Sequence, residues 1–297
     1  MNLDYGKEYE DFKKEVESFC REYSGVIITN KKGGALTALN AVGELDNADG
    51  QKLKRSEWQK ILIQNGYFAR SIPKEYGGFG GDIDIIKNRI IAAEFASAKL
   101  PPPMGGQGID MLVPTLLELG TEEQKQKYIK STLHGEMIWC QGYSEPNAGS
   151  DLASLQTKGE LIDGNWVING QKIWTSTAQY SQMMFCLVRT EPDASKHAGI
   201  SYLLIPMDTP GIEIRPLVDM TLNAGFNEVF FTDVTNLLIQ AIQKKEIQNI
   251  DAKAFAILLG GIGREFIKEK NKLIDSSPEE SANSITEIIL NGIKLKS

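Results

Sequence analysis

The first 136 residues place apolar side chains at helical spacing. Residues 9–23 bring Phe12, Val16 and Phe19 onto one face, with charged residues between them, which predicts an amphipathic helix. A second helix is predicted to begin at Ser56 as its N-cap. The remaining predicted helices span residues 83–98, 108–119 and 121–133. Residues 24–50, rich in Gly and Asn, are predicted to form a long surface connection.

The pattern changes near Met137 to short runs of β-forming residues. Residues 159–175 contain Asp163-Gly164 and Asn169-Gly170, and both pairs are strong hairpin-turn signals. Further strands are predicted at residues 183–189, 200–206, 212–217 and 229–231. Short strands at this spacing indicate a small barrel or sandwich. After about residue 235 the pattern is helical again, although Gly260, Gly261 and Gly263 weaken it.

The order of the predicted elements gives an α+β fold class. We expect an N-terminal helical domain over residues 1–136, a middle β-barrel domain over 137–235 and a helical C-terminal segment over 236–297. A length of 297 residues by itself suggests about two domains. With 41% hydrophobic and 24% charged residues, the composition is that of an ordinary globular protein and argues against disorder or collagen.

Charge and cysteine content narrow the expected surroundings and partners. A net charge of −7 argues against a nucleic-acid backbone as partner, because phosphates need clustered Lys and Arg. No apolar run approaches the ~20 residues of a membrane span, and the N-terminus has no signal-peptide pattern. Three widely spaced cysteines suit a reducing compartment. We therefore expect a cytoplasmic protein without a membrane span.

The sequence departs from several common binding and catalytic motifs at a single position each. The dinucleotide-binding pattern fails at Phe266, which stands at its third glycine, and the nucleophile elbow fails at Pro146. His134 and His197 are the only histidines, and they lack zinc-ligand spacing. These failures leave no metal site and no triad to predict.

Two segments remain as candidates for chemistry. Residues 144–151, SEPNAGSD, are dense in hydroxyls and turn formers. Such a loop offers backbone N–H groups and hydroxyls to a polar or anionic ligand, or it is only a connection that needs turn chemistry. Residues 172–176 end a strand with Trp174 and two hydroxyl residues. That tryptophan is either a packing residue or a stacking wall for a planar ring.

Five segments together resemble the acyl-CoA dehydrogenase family. YSEPNAGSDLAS, QKIWTS, PGIEIRPL, PKEYGGFGGD and GTEEQK match it in order and spacing, and the resemblance covers residues 12–234. It implies an N-terminal helical domain, a middle β-barrel and a C-terminal four-helix bundle. It also implies FAD as cofactor and α,β-dehydrogenation of an acyl-CoA thioester, by α-proton abstraction and hydride transfer to flavin N5.

The resemblance assigns roles to individual residues. Ser144 falls where relatives bond the flavin pyrimidine edge, Trp174 beside the isoalloxazine and Ser176 opposite N5. Ser150 falls where relatives touch the FAD pyrophosphate or the pantetheine arm of the substrate. The implied cofactor-binding residues are Gln141, Tyr143, Ser144, Gly149, Ser150, Trp174, Thr175 and Ser176.

The resemblance also implies a glutamate base in the C-terminal bundle. The 62 residues from 236 onward are fewer than the roughly 90–100 that four such helices need, so we expect only a short helical remnant. Glu265 and Glu269 lie on a possible helix there, but neither matches the base motif and a solvated face is the favoured interpretation. The catalytic base therefore stays unassigned.

Three functions follow from these expectations, in order of preference. The first is an FAD-dependent acyl-CoA dehydrogenase, active as a homo-oligomer or with a partner subunit, that passes electrons to electron-transferring flavoprotein. The second is a truncated, non-catalytic relative that acts as an assembly or binding subunit. The third is a flavin oxidase or monooxygenase on the same scaffold.

Overall fold

The structure is a computed structural model that describes residues 6–28, 44–46, 52–195, 197–220, 222, 224–235 and 240–241. The helix predicted after residue 235 is wrong at Gln240–Ala241, which is a short β-strand paired with Leu203 and Leu204. The rest of that prediction, with Glu265 and Glu269, lies outside the described residues. By their contacts the residues form two compact units. One holds the chain up to Gly105 with Gln126–Ile138 and Val218–Gly225, and the other holds Gly106–Lys125, Trp139–Leu217 and the chain from Phe226.

Five α-helices are present in the described chain. They are α1 (Lys7–Glu22), α2 (Arg55–Gln64), α3 (Ile85–Ser97), α4 (Val113–Leu119) and α5 (Glu122–Leu133). The predicted amphipathic helix is confirmed by α1, whose buried side chains are Val16, Phe19 and Cys20. The Phe19 ring lies 5.9 Å from the ring of Trp58 on α2 and 5.9 Å from that of Phe95 on α3. These aromatic contacts centre the helical core.

The helix starts show which capping predictions were correct. The signal before α5 is confirmed, because the Thr121 hydroxyl accepts the Gln124 N–H and the Gln124 side chain accepts the Thr121 N–H. The N-cap prediction at Ser56 was wrong. The α2 helix begins at Arg55, since the Glu57 carboxylate accepts the Lys54 N–H at 3.0 Å.

Two other sequence predictions in the helical half need correction. The single helix predicted for residues 108–119 is a π-helical turn, Gly108–Leu112, followed by α4. The connection predicted for residues 24–50 contains β1 (Ile27–Ile28) and β2 (Glu44–Asp46). In an antiparallel sheet, β2 lies in the middle and pairs with β1 on one side and with β3 (Lys52–Lys54) on the other. Leu45 in β2 is fully buried, so hydrophobic burial anchors this sheet.

The other unit is built on one curled sheet. Its strands are β4 (Trp139–Gly142), β5 (Lys158–Ile162), β6 (Asn165–Ser176), β7 (Met183–Arg189), β8 (Ile200–Pro206), β9 (Ile212–Leu217), β10 (Phe226–Thr235) and β11 (Gln240–Ala241). Neighbouring strands follow the order β11-β8-β7-β5-β6-β10-β9, and β4 runs parallel to β7. The strands predicted at 183–189, 200–206 and 212–217 are confirmed at their stated bounds. The core includes Ile168, Met184, Leu203 and Val229.

One of the two predicted hairpin turns is correct. Asp163 and Gly164 join β5 to β6 with φ angles of 49° and 82°, as the turn chemistry requires. The prediction at Asn169-Gly170 was wrong, because both residues lie inside β6. The Asn169 side chain instead bonds Asp233 twice across a bulge in β10. A Cβ at Gly170 would lie 2.7 Å from Thr157 Cα, so close packing requires this glycine.

No helix among the described residues combines the length and the apolar character that a bilayer crossing requires.

Candidate functional site

The loop that follows β4 is a short, closely bonded turn. The Glu145 N–H donates to Ala148 O at 2.9 Å, and the Ala148 N–H donates to Glu145 O at 3.1 Å. Pro146 and Asn147 are exposed at its tip. Gly149 and Ser150 are also exposed, and a Cβ at Gly149 would meet nothing within 4 Å. The loop therefore presents open backbone and hydroxyl groups on a fixed frame.

A buried ion pair holds this frame against β6. The Lys172 ammonium donates to Glu145 Oε1 at 2.8 Å and to the carbonyl oxygen of Tyr143 at 3.2 Å. The Glu145 carboxylate also accepts the backbone N–H groups of Gln156, at 2.7 Å, and Thr157, at 2.9 Å. Lys172 is fully buried and Glu145 nearly so. Each oxygen of the carboxylate thus has a donor, as a buried charge requires.

The charge state of Glu145 follows from these contacts. Burial alone would raise the pKa of its carboxyl group, but the Lys172 ammonium and the two backbone donors more than offset that effect. The pKa of Glu145 therefore lies below its ordinary value, and the carboxylate is ionised at neutral pH.

Tyr143 and Gln141 lie at the end of β4. The Tyr143 ring is buried and meets Phe185 edge to face, with ring centroids 5.8 Å apart. Burial raises the pKa of the Tyr143 phenol well above its ordinary range, so the phenol is neutral at physiological pH. The half-buried Gln141 side chain hydrogen-bonds to it. The buried Tyr143 side chain is therefore a rigid support for the loop.

Trp174 lies on a bulge near the end of β6. Asn227 faces Thr175 and Val229 faces Lys172, so β6 carries one more residue than β10 between these pairs. Trp174 takes a left-handed φ of 61° there, and its side chain is 60% exposed. Only one ring is near it, that of Phe226 at 5.9 Å and nearly perpendicular, among the described residues. Backbone strain at an exposed tryptophan is typical of a functional position.

Asn227 fixes the strand on the far side of this bulge. Its side-chain amide donates to the carbonyl oxygen of Thr175 at 2.9 Å and to Gln179 Oε1 at 2.6 Å. Asn227 Oδ1 and Thr175 Oγ1 are buried without a hydrogen-bond partner in the described structure. Ser176, the next residue, is half-buried and faces Phe226. The amide of Asn227 therefore sets the path of the backbone between Trp174 and Ser176.

The structure brings most of the predicted site residues to one place. The Ile173 N–H donates to the carbonyl oxygen of Ser144 at 2.9 Å, so the loop adjoins the end of β6. Ser144 is half-buried and lies next to Tyr143, while Gly149 and Ser150 lie further along the loop. Sequence reasoning missed Glu145, Lys172 and Asn227. The available signal was charge, because Lys172 interrupts a strand of otherwise uncharged residues and Glu145 is the first acidic residue of the loop.

Comparison with known protein families covers both halves of the described chain. Residues 37–136 match the family model for the N-terminal domain of acyl-CoA dehydrogenases, and residues 140–234 match the model for the middle domain. The chain belongs to the acyl-CoA dehydrogenase family.

Curated members of the acyl-CoA dehydrogenase family match at substantial identity. Acyl-CoA dehydrogenase IpdE1 of Mycobacterium tuberculosis is 41% identical over 220 residues, which are 74% of this chain and 56% of the relative. Acyl-CoA dehydrogenase FadE34 of the same organism is 43% identical over 192 residues, 63% of this chain and 26% of the relative. The chain thus spans about half the length of IpdE1 and about a quarter of FadE34.

Several solved structures share the fold of this chain. The ChsE4-ChsE5 complex from Mycobacterium tuberculosis matches with a TM-score of 0.59 and 26% identity, over 89% of this chain and 61% of that one. The G363A variant of the steroid acyl-CoA dehydrogenase Tcur3481-Tcur3483 matches with a TM-score of 0.58 and 24% identity, over 97% of this chain and 74% of that one. The second likeness concerns the fold alone.

The described residues fit the flavin that acyl-CoA dehydrogenases use. An exposed aromatic wall at Trp174, hydroxyls at Ser144 and Ser176 and the open backbone at Gly149 form a set suited to a planar ring with polar edges and a phosphate tail. Thr175 Oγ1 adds a buried polar atom without a partner in the described structure. A flavin would supply the electron chemistry, and these side chains would orient it.

Proposed function

We propose that the chain is an FAD-dependent acyl-CoA dehydrogenase that introduces an α,β-double bond into an acyl-CoA thioester. The observation that carries this proposal is Trp174, an exposed and conformationally strained tryptophan beside a hydroxyl-bearing loop. The family membership supports it, because the curated relatives are named acyl-CoA dehydrogenases. An exposed indole in a strained backbone has a reason to exist if a planar ring covers it.

The proposal gives each side chain a task that its surroundings allow. Trp174 forms one wall of the ring site, with Thr175 beside it, and the hydroxyls of Ser144 and Ser176 bond polar atoms of the flavin. Gln141 and Tyr143, at the end of β4, support the loop that follows that strand. FAD would supply the acceptor chemistry for the hydride that leaves the substrate β-carbon. Gly149 and Ser150 would hold the phosphates of the cofactor, and Ser150 would also contact the pantetheine arm of acyl-CoA.

The proposed reaction also needs a carboxylate to accept the α-proton of the substrate. We assign no residue to this role. Glu145 does not qualify, because Lys172 and two backbone N–H groups already occupy its oxygens. Glu265 and Glu269 lie outside the described residues.

Partner chains form part of the proposal. The solved relatives include a complex of two named chains, ChsE4 and ChsE5. We propose that this chain likewise works as a homo-oligomer or with a partner subunit, and that electron-transferring flavoprotein accepts its electrons.

Flavin uptake tests the proposal directly. The full chain is purified, incubated with FAD, freed of unbound flavin and examined for flavin absorbance together with oligomeric mass. We expect bound flavin in the chain alone or in its complex with a co-expressed partner subunit. A protein that stays colourless under both conditions would contradict the proposal.

Oxygen consumption separates dehydrogenase from oxidase chemistry. With acyl-CoA and a dye acceptor, we expect dye reduction to exceed peroxide formation. Peroxide release that accounts for all of the oxidised substrate would instead favour a flavin oxidase.

A further inference from the structure

The two segments that we propose to contact flavin are joined by one ammonium group. Lys172 lies two residues before Trp174 on β6, and its Nζ bonds both the Tyr143 carbonyl, next to Ser144, and the carboxylate of Glu145. A single buried charge therefore ties the loop to the strand. The Ile173 N–H and the Ser144 carbonyl make the adjacent backbone contact.

We propose that the Glu145–Lys172 pair positions the flavin site by holding the Ser144 loop at a fixed distance from Trp174 before the ligand binds. This inference rests on the proposed flavin function. Glu145 and Lys172 are positioning residues, because their polar atoms bond each other and backbone groups. The pair acts on flavin only through the segments that it joins.

The energetics of buried charges argue for a positioning role. Removing a lysine and a glutamate from water is costly, and apolar side chains of similar volume often pack as well or better. The pair is therefore a poor device for stability alone. It is a good device for geometry, because a charge with directed hydrogen bonds has few alternative arrangements. Here those bonds end on residues adjacent to the proposed flavin contacts.

A preformed site reduces the entropic cost of binding, because the loop is already ordered before the ligand arrives. Without the ammonium group, the Tyr143 carbonyl and the Glu145 carboxylate lose their shared donor. The Ile173–Ser144 backbone hydrogen bond then holds the loop against β6 with less support, and the loop samples more positions. Flavin would then have to order the loop. The inference thus predicts weaker flavin binding in a chain whose fold is intact.

The experiment compares Lys172→Met, Glu145→Gln and the double variant with the wild-type chain, each as full-length protein. Glu213→Gln is the matched control, because Glu213 pairs with Arg215 at 2.7 Å on the exposed face of β9. Three readouts are taken for each protein. They are the Kd for FAD from flavin fluorescence, the visible circular dichroism of bound flavin and the Tm without ligand.

We expect the Kd for FAD to rise at least about tenfold in Lys172→Met, with an altered flavin dichroism at saturation. The double variant should recover much of the lost Tm, because no unpaired charge remains buried. Its Kd should stay high, since the bonds from the Lys172 ammonium to the loop are still missing. If the pair were merely structural, the Kd of the double variant would recover together with its Tm. Glu213→Gln should match the wild type.

Any of three results would overturn the inference while leaving the proposed function intact. One is a Kd equal to that of the wild type in the folded variants. A second is a Kd that recovers together with the Tm in the double variant, and a third is a double variant that does not fold. Either of these would show that the pair determines only the fold. Absence of FAD binding in both the wild type and Glu213→Gln would overturn the proposed function, and the inference with it.

Discussion

At the residue scale, Trp174 combines two features that folding alone does not favour. Its φ of 61° is strained for a residue with a Cβ, and 60% of its surface is exposed. A tryptophan that served only packing would be buried and relaxed. We therefore regard this side chain as the clearest sign of a ligand among the described residues.

Substitution of Trp174 should weaken flavin binding without harming the fold. We expect Trp174→Ala to raise the Kd for FAD by about five- to tenfold, because lost stacking of an aromatic ring costs about 1 kcal/mol or slightly more. The unfolding free energy should be nearly unchanged, since little buried surface is lost. Leu161→Ala is the control, because Leu161 is equally exposed, at 61%, on the β5–β6 hairpin. Equal Kd values for the two variants would argue against the proposed ring site.

Glu145 gives stability a defined dependence on pH. Its pKa is lower in the folded chain than its ordinary value of 4.5, so the ion pair contributes fully above about pH 4.5. That contribution is lost as pH falls through the folded pKa. The charged or titratable groups around it are the Lys172 ammonium and the Cys186 thiol.

Denaturant unfolding from pH 7 to pH 3 checks this prediction. We expect the wild type to lose stability relative to Glu145→Gln as the pH drops below 4.5. The two proteins should have parallel profiles above pH 5.5 or so, where the carboxylate stays ionised. Parallel profiles over the entire range would show that the carboxyl group is not held in its charged form.

At the element scale, two bulges shape the β6–β10 pair. The bulge at Trp174 has the buried Asn227 beside it, and the bulge at Asp233 has the half-buried Asn169 beside it. Each asparagine satisfies backbone or side-chain groups that the interrupted ladder leaves free. Asn227 is more deeply buried than Asn169, so substituting the two asparagines should lower the free energy of unfolding by different amounts.

Removal of the Asn227 amide should be the more damaging change. Asn227→Ala leaves buried polar groups without donors, which costs about 1–3 kcal/mol for each group. Asn169→Ala should cost less, because water replaces the lost bonds at a more exposed site. Urea unfolding of both variants measures the difference. A smaller loss for Asn227→Ala than for Asn169→Ala would contradict the importance of the buried amide.

Local patterns predicted many of the elements, and long-range contacts decided the others. Helix α1 and strands β7, β8 and β9 follow periodicity, and the Asp163-Gly164 turn follows its own φ preference. Asn169-Gly170 carries the same turn signal, yet Asp233, 64 residues away, draws Asn169 into a strand. Only a pairing partner could have revealed that.

The same distinction holds within the candidate site. Tyr143, Ser144 and Trp174 could be found because they stand in recognisable short motifs. Glu145 and Lys172 are 27 residues apart, and Asn227 bonds a carbonyl 52 residues away. Their roles depend on strand register, which a pass along the sequence does not supply. The sequence therefore predicted the proposed contact residues, but not the ion pair and the asparagine that hold the loop and the strand in place.

At the scale of the whole molecule, the family match and the proposed flavin contacts fall in the same part of the chain. The family models cover the N-terminal and middle domains, and the proposed contacts lie within residues 141–176 of the middle domain. The dehydrogenation of acyl-CoA that we propose would give the exposed indole, the hydroxyl-bearing loop and the Glu145–Lys172 pair one common task.

Anaerobic titration of the flavin-loaded protein with acyl-CoA thioesters tests that activity most directly. The panel runs from butyryl-CoA to palmitoyl-CoA and includes isobutyryl-CoA and a steroid side-chain acyl-CoA. We expect at least one thioester to bleach the flavin absorbance and to yield the α,β-unsaturated product in equal amount. Flavin that stays oxidised with every thioester, in a protein that chemical reductant still bleaches, would contradict this expectation.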